Sequence, residues 1–302
     1  MAHVMAKFDE YQAFTTIIEL NSLSKAAKLL HLSPSAISKK LSLLEASLGV
    51  QLIDRSTRSL AITDAGKSFY RDCKAILSSV MSAEERLLDN KGDPSGKLTL
   101  SCPRVLLQPT FLRLINEFCV QYPSIKIALC VSNDVEDLVG GCIDFSFRIG
   151  QLKDSRLQAA HLQEMHPLFC ASPHYLGQHG TPSQLTELTA HTVIIPTYLN
   201  LSDKIRQLFT GLVPGQNTLE LALFHTTDDV YALYQWILQG GGISMMLDIM
   251  IDKDIANGSL QHLFPMIPFP SQKLVLLWHK KEYQSKKMSV FKEFVTARYG
   301  TH

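Results

Sequence analysis

The 302-residue chain lacks an excess of either charge, with 29 lysines and arginines facing 28 aspartates and glutamates for a formal net of +1. A surface that is basic all round is excluded, so any contact with nucleic acid has to come from a local basic patch. No apolar run reaches 18 residues, so no membrane-spanning helix is readable. Residues 1–8 lack the basic-then-apolar order of a secretory leader, and Met5 offers an alternative start. The six cysteines (Cys73, Cys102, Cys119, Cys130, Cys142, Cys170) show neither metal-ligand nor redox-motif spacing, which reads as reduced thiols in a cytoplasmic protein. His-Glu-x-x-His, Gly-x-Ser-x-Gly and phosphate-binding glycine loops are all missing, and Gly240-Gly241-Gly242 precedes an expected strand instead of following one. Among the histidines, His161, His166, His174 and His179 have no carboxylate at ligand spacing. An enzyme, a metal centre and a bound cofactor are therefore not expected.

What is present is a soluble composition, 46% hydrophobic and 19% charged, in a chain too long for one ordinary core. Residues 8–20 place Phe8, Tyr11, Phe14 and Ile17 at helical spacing, and Asn21-Ser22 stops that helix. Ser24 reads as the cap of a short second helix, 25–31, with Ala26, Ala27, Leu29 and Leu30 inward. Ser33 caps a third helix, Pro34 occupies its first turn, and Gly49 closes it. Ala36, Ile37, Leu41, Leu44 and Leu48 point inward there, while Ser35, Ser38, Lys39, Lys40 and Ser42 point outward. Two helices joined by a tight turn, the second polar on its outer face, make a helix-turn-helix candidate. Hydroxyls and ammonium groups suit a major groove and its phosphates. Between positions 22 and 58, six basic residues (Lys25, Lys28, Lys39, Lys40, Arg55, Arg58) outnumber Glu45 and Asp54 for a local net of +4. Strands at 51–53 and 59–62 around a tip at 54–58 read as a wing, with Arg55 and Arg58 placed for backbone phosphate. A small helical domain with merely solvated serines and lysines fits the same spacing.

The segments SKAAKLLHLSPSAISKKLSLLE (24–45), LGVQLIDR (48–55) and LAITDAG (60–66) resemble the N-terminal signature of LysR-type transcriptional regulators. The match covers about forty residues with fixed gaps. It departs at Ile53, where the family often has Phe, and at Pro34-Ser35, where it often has Gln-Pro; the second departure alters a position that reads bases in many members. The resemblance implies sequence-specific binding of double-stranded DNA through Ser24, Ser33, Pro34, Ser35, Ser38, Lys39, Lys40, Arg55 and Arg58.

Thr63 reads as the cap of a proline-free helix running to about 91, with Asp64 at its positive end. Phe69, Cys73, Ile76, Val80, Ala83 and Leu87 alternate gaps of four and three, a coiled-coil seam. Packing within one chain is the alternative to burial by a second copy. In LysR-type regulators the equivalent helices pair two chains, which implies a homodimer or homotetramer through Phe69, Cys73, Ile76, Val80 and Leu87. The run 90–96 consists of turn residues and marks a boundary.

Beyond it, strands are expected at 97–101, 125–131 and 142–149, and helices at 110–122 and 134–140, which implies a parallel sheet. Further strands at 168–171, 193–196, 221–224 and 242–246, with helices at 201–210 and 229–239, make a second unit. A strand at 274–278 and a helix at 289–299 return to the first, so the chain crosses between lobes near 161–166 and 264–270. The expected whole is an α/β multidomain protein: a winged helix-turn-helix (1–62), a linker and dimerisation helix (63–95) and an effector-binding domain (96–302). That last domain divides into lobe I (96–163 and 269–302) and lobe II (164–268), and the resemblance makes it periplasmic-binding-protein-like.

Open α/β sheets bind ligands at strand ends. The polar residues there are Ser101, Pro103, Arg104, Ser132, Arg148, Pro196, Thr197, Tyr198, Thr226 and Thr227. The family's effector loops match most directly at Ser132, Pro196 and Tyr198. Two arginines among hydroxyls suit a small-molecule effector bearing a carboxylate or another anion. A redox sensor of the same architecture, using two of Cys102, Cys130, Cys142 and Cys170, is the alternative. In it, Arg104 would activate Cys102, whereas Cys130 and Cys142 read as buried thiols in apolar strands. RNA polymerase is a further candidate partner.

Overall fold

A computed structural model describes residues 2–56, 59–88, 93–132, 143–150, 157–196, 223–267, 269–279 and 285–299. The first helix, α1 (Ala2–Leu20), begins earlier than its apolar periodicity suggests and ends at Asn21, whose φ of 45° turns the chain out of the helix. Phe14 and Ile17 are fully buried, and the buried Thr15 hydroxyl donates to the carbonyl of Tyr11. The short α2 (Leu23–Leu29) is capped by Ser22, not by Ser24: the Ser22 hydroxyl accepts from the Lys25 amide. Ala26 and Ala27 are buried, but Leu29 is 61% exposed, so the inward stripe is narrower than the sequence implied.

The third helix, α3 (Pro34–Leu48), follows its end signals. Ser33 accepts from the Ala36 amide, and Gly49 takes the left-handed conformation at φ 67°. Ile37, Leu41 and Leu44 are buried, whereas Leu48, the last residue of the helix, is exposed. Glu45 then fixes the wing, since its Oε1 accepts from the amides of Leu52 (2.9 Å) and Ile53 (3.1 Å). The wing pairs β1 (Ile53–Ser56) antiparallel to β2 (Ser59–Ile62), Asp54 opposite Ala61. Its first strand thus starts later than expected and takes up part of the predicted tip.

The long α4 (Asp64–Leu88) is capped by Thr63, whose hydroxyl accepts from the Gly66 amide at 2.9 Å. Its first half belongs to the N-terminal core. Phe69 packs against Tyr11 and Phe14 at ring distances of 5.6 and 5.8 Å, and Cys73 is fully buried in the same cluster.

In the first lobe a five-stranded sheet has the order β4-β3-β5-β12-β6. The strands are β3 (Gly96–Cys102), β4 (Ile125–Val131), β5 (Phe145–Ile149), β6 (Leu157–Met165) and β12 (Gln272–His279). The first three run parallel, while β12 runs antiparallel to both β5 and β6, so the sheet is mixed and not wholly parallel. Period-two alternation sends Phe145 and Phe147 to one face, where they meet Phe111 of α5 (Pro109–Gln121) and Phe291 of the C-terminal helix (Lys286–Tyr299). Each such buried ring contributes about 1.5–3 kcal/mol.

In the second lobe, β7 (Pro167–Ala171) lies antiparallel between β10 (Ser244–Leu247) and β11 (Gln261–Leu263). The pair β8 (Thr192–Pro196) and β9 (Leu223–Thr227) is parallel and touches Ile243 through Val193. Among the described residues the remaining α-helices are α6 (Pro173–His179), α7 (Val230–Leu238), α8 (Asp248–Asn257) and α9, the C-terminal Lys286–Tyr299. The strand β6, the helices α6 and α8 and β11 had no clear sequence signal. The chain crosses between lobes at His166, between β6 and β7, and again between β11 and β12. The expected helices at 134–140 and 201–210 lie outside the described residues.

Candidate DNA interface and interlobe site

At the amino end of α3, Ser33, Pro34 and Ser35 are exposed, and the hydroxyls of Ser33 and Ser35 lie 2.9 Å apart. Ser24 on α2 and Lys39 on α3 are exposed as well, and Ser38 is partly so. Capping by Ser33 starts the helix where its free amides and polar residues reach the surface. Lys40 is placed differently from the expectation. Its ammonium pairs with Asp9 of α1 at 2.9 Å, so this cation braces α1 against α3 instead of standing free. Nothing in the helical pattern of 8–20 pointed to Asp9 as that partner. Arg55 is on the described backbone of β1, and Arg58 lies outside the described residues.

The dimerisation seam needs a correction too. Cys73 is fully buried in its own N-terminal domain, and Phe69 is partly buried against the same core. The stripe left over begins at Ile76 (40% exposed) and continues at Val80 (38% exposed). Leu87 stands on the same helix. Sequence spacing could not separate the two because one continuous helix serves both cores.

Between the lobes, the predicted residues fall into three groups. Ser101 and Arg148 form the first. They lie on neighbouring strands, β3 and β5, and the Arg148 guanidinium donates to the Ser101 hydroxyl (3.1 Å) and to the Phe147 carbonyl (2.9 Å). Both residues are buried.

The second group centres on Arg104, in the 3₁₀ turn Arg104–Leu106 that follows Pro103. Its Nε pairs with Asp229 Oδ2 of the other lobe at 2.9 Å, and its guanidinium lies 5.8 Å from the centre of the Tyr231 ring. Asp229 also caps α7, its Oδ1 accepting from the amides of Tyr231 and Ala232. The Tyr231 hydroxyl crosses back to donate to the Leu107 carbonyl at 2.9 Å.

In the third group, Pro196 stands opposite Thr227 and Ile195 opposite Thr226 at the ends of β8 and β9. The two threonines thus belong to a strand that runs on past its expected end at 224, and not to a loop. The Thr227 hydroxyl accepts from the Asp229 amide at 3.2 Å, which links this group to the second. Ser132 approaches the end of β3, its amide donating to the Cys102 carbonyl. Thr197 and Tyr198 lie outside the described residues. Asp229, Tyr231 and Leu107 were missed as site residues; the cap position of Asp229 was readable, but its partner in another lobe was not.

Two of the four candidate thiols, Cys102 and Cys170, are buried. Burial pushes Cys102 up to about 11 and Cys170 up to about 12. The cation acting on Cys102 is Arg148, not Arg104, and it offsets burial only in part. Cys130 is exposed, contrary to its expected burial, because β4 is an edge strand. Cys142 lies outside the described residues. Among the described residues no group of histidine, cysteine and carboxylate side chains could hold a metal ion, and no helix is long and apolar enough to cross a membrane.

Two family models match: the bacterial regulatory helix-turn-helix protein model of the lysR family over residues 8–67, and the LysR substrate binding domain over residues 91–300. The chain belongs to the LysR family of transcriptional regulators. It is 28% identical over 288 residues to the transcriptional activator AaeR of Escherichia coli K12, covering 95% of this chain and 92% of that protein. It is 29% identical over 301 residues to the regulator CrgA of Neisseria meningitidis, covering 97% of each. The full-length structure of the virulence activator AphB of Vibrio cholerae matches with a TM-score of 0.63 at 27% identity, over 96% of this chain and 99% of that one. This LysR-type protein therefore joins a DNA-binding helix-turn-helix to an effector-binding α/β domain, and its relatives are regulators of transcription, not enzymes.

Proposed function

We propose that this LysR-type protein binds operator DNA as a dimer, or as a pair of dimers, and that a small anionic effector held between its two α/β lobes changes that binding. The observation that carries the reading is the pair of chain crossings between lobes, with Arg104 in the turn after β3 paired to Asp229 of the other lobe. Two crossings form a hinge about which lobes rotate, and rotation is a discrete change that subunit packing transmits to distant reading heads. A ligand shifts such an equilibrium only by its difference in affinity for the two arrangements, typically about 1–3 kcal/mol.

Ser33, Pro34, Ser35 and Ser38 read bases, with Ser24, Lys39, Arg55 and Arg58 on phosphate. Lys40 serves mainly as a brace. Ile76, Val80 and Leu87 pair the linker helices of two chains. The units divide near 62/63 and 95/96, and the protein works in the cytoplasm, where its DNA is. Burial of Cys102 and Cys170 favours a ligand over a thiol signal.

Footprinting with and without an effector taken from a thermal-shift screen of organic acids is the test. The expected result is a changed protected length. Unchanged protection while transcription still responds would refute the spacing mechanism and direct attention to RNA polymerase as the contacted partner.

A further inference from the structure

The Arg104–Asp229 pair joins the turn after β3 to the start of α7 in the other lobe, and its two sides differ in what they lose if it opens. Asp229 loses one partner of three. Its other oxygen keeps the amides of Tyr231 and Ala232 at the positive end of α7, and its own amide stays on the Thr227 hydroxyl. Arg104 loses its carboxylate and, among the described residues, keeps the face of Tyr231. An open pair therefore leaves a satisfied carboxylate on one lobe and a cation needing an anion on the other. Both side chains are partly exposed, 52% for Arg104 and 33% for Asp229, so a dissolved anion reaches them without unfolding.

We infer that Arg104 and Asp229 form an interlobe latch, and that a carboxylate effector opens it by exchange, taking the place of Asp229 on Arg104. The inference rests on the effector-binding reading above and adds the cation that takes the ligand and its competitor within the chain. A partly exposed pair of this kind shifts the open–closed equilibrium by a factor of roughly two to five, small enough for a ligand to reverse. The Tyr231 hydroxyl bond to the Leu107 carbonyl couples the same helical turn to the same 3₁₀ turn, so the lobes part at both contacts together. A neutral ligand has no charge to exchange and leaves the latch shut.

The test is amide hydrogen exchange in the full-length protein at Leu106 and Leu107, whose amides donate within the 3₁₀ turn to Pro103 and Arg104. Asp229→Asn keeps a good helix cap while removing the charge. Arg104→Gln removes the charge from the other lobe. Each single variant should exchange about two- to five-fold faster than the parent, and the double variant no faster than either single. Acetate should speed exchange in the parent beyond sodium chloride of equal ionic strength. Acetamide should not, and acetate should have no effect in Arg104→Gln.

Unchanged exchange in both single variants, or additive effects in the double, overturns the latch. A chloride effect equal to that of acetate overturns the exchange. Operator footprints of the same variants report separately on the effector reading: a latch that opens without changing any footprint leaves the latch standing and refutes the role in regulation.

Discussion

Replacing Gly66 with alanine should destabilise the DNA-reading head, although alanine is the better helix former. Gly66 lies in the first turn of α4, where an added methyl group overlaps the carbonyl oxygen of Leu52 and comes within 2.9 Å of Ile62 Cγ1. The first obstacle is backbone and cannot rotate aside. The same carbonyl accepts from the Thr63 amide at 3.0 Å, and the Thr63 hydroxyl donates to the Gln51 carbonyl at 2.9 Å. Retreat of the helix therefore loosens the bonds that hold α4 to the start of the wing. Overpacking costs about 1–3 kcal/mol, and each loosened hydrogen bond about 0.5–1.5 kcal/mol. The alanine returns about 1 kcal/mol of helix propensity. Strain wins by about 2 kcal/mol, which lowers the melting temperature of a unit this size by roughly 10 °C. Calorimetry on the full chain should show the first transition falling while that of the α/β domain holds, and operator affinity should fall with it. The control is Gly177→Ala in α6, where an added methyl meets nothing within 4 Å and should be neutral or slightly stabilising. An unchanged or raised first transition in Gly66→Ala refutes the close-approach argument.

Ile76→Glu or Val80→Glu should convert the assembly to monomers in sedimentation at unchanged fold, whereas Cys73→Ser should lower stability first because it buries a hydroxyl; dissociation by Cys73→Ser alone, at full stability, would restore the longer seam. Arg55→Ala should weaken binding to all sequences alike and flatten the salt dependence by about one unit, while Ser35→Ala and Ser38→Ala shift sequence preference; the opposite pattern in a binding-site selection exchanges those roles. Burial, and then the nearby His179, hold His191 below the ordinary histidine value, with Glu187 opposing. The unfolded chain then takes up the proton more readily than the folded one, so stability is full above the unfolded value and falls as pH drops through it towards the folded one. Between about pH 7.5 and 5.5 the α/β domain should melt progressively earlier, and His191→Gln should flatten that dependence; a parent whose melting is level across the window contradicts it.

The sequence by itself determined the reading head. Its signals are local, so Ser33, Pro34 and Gly49 set the ends of α3 and Thr63 starts α4 within a few residues of where the chain bends. Most strands of the α/β domain were legible for the same reason, since apolar alternation and turn residues act over short distances, whereas β6 and β11 carried no such signal. The tertiary structure decided what depends on partners far apart along the chain. It assigned Phe69 and Cys73 to the N-terminal core, because α1 packs alongside α4 and spacing along one helix carries no information about what covers it. It turned Lys40 from a free cation into the partner of Asp9, 31 residues away. Arg104, which the sequence grouped with Arg148 as one anion site, became the partner of Asp229 in the other lobe, while Arg148 bonded within its own sheet. Charge and hydrophobicity mark which residues need a partner, and only packing supplies it.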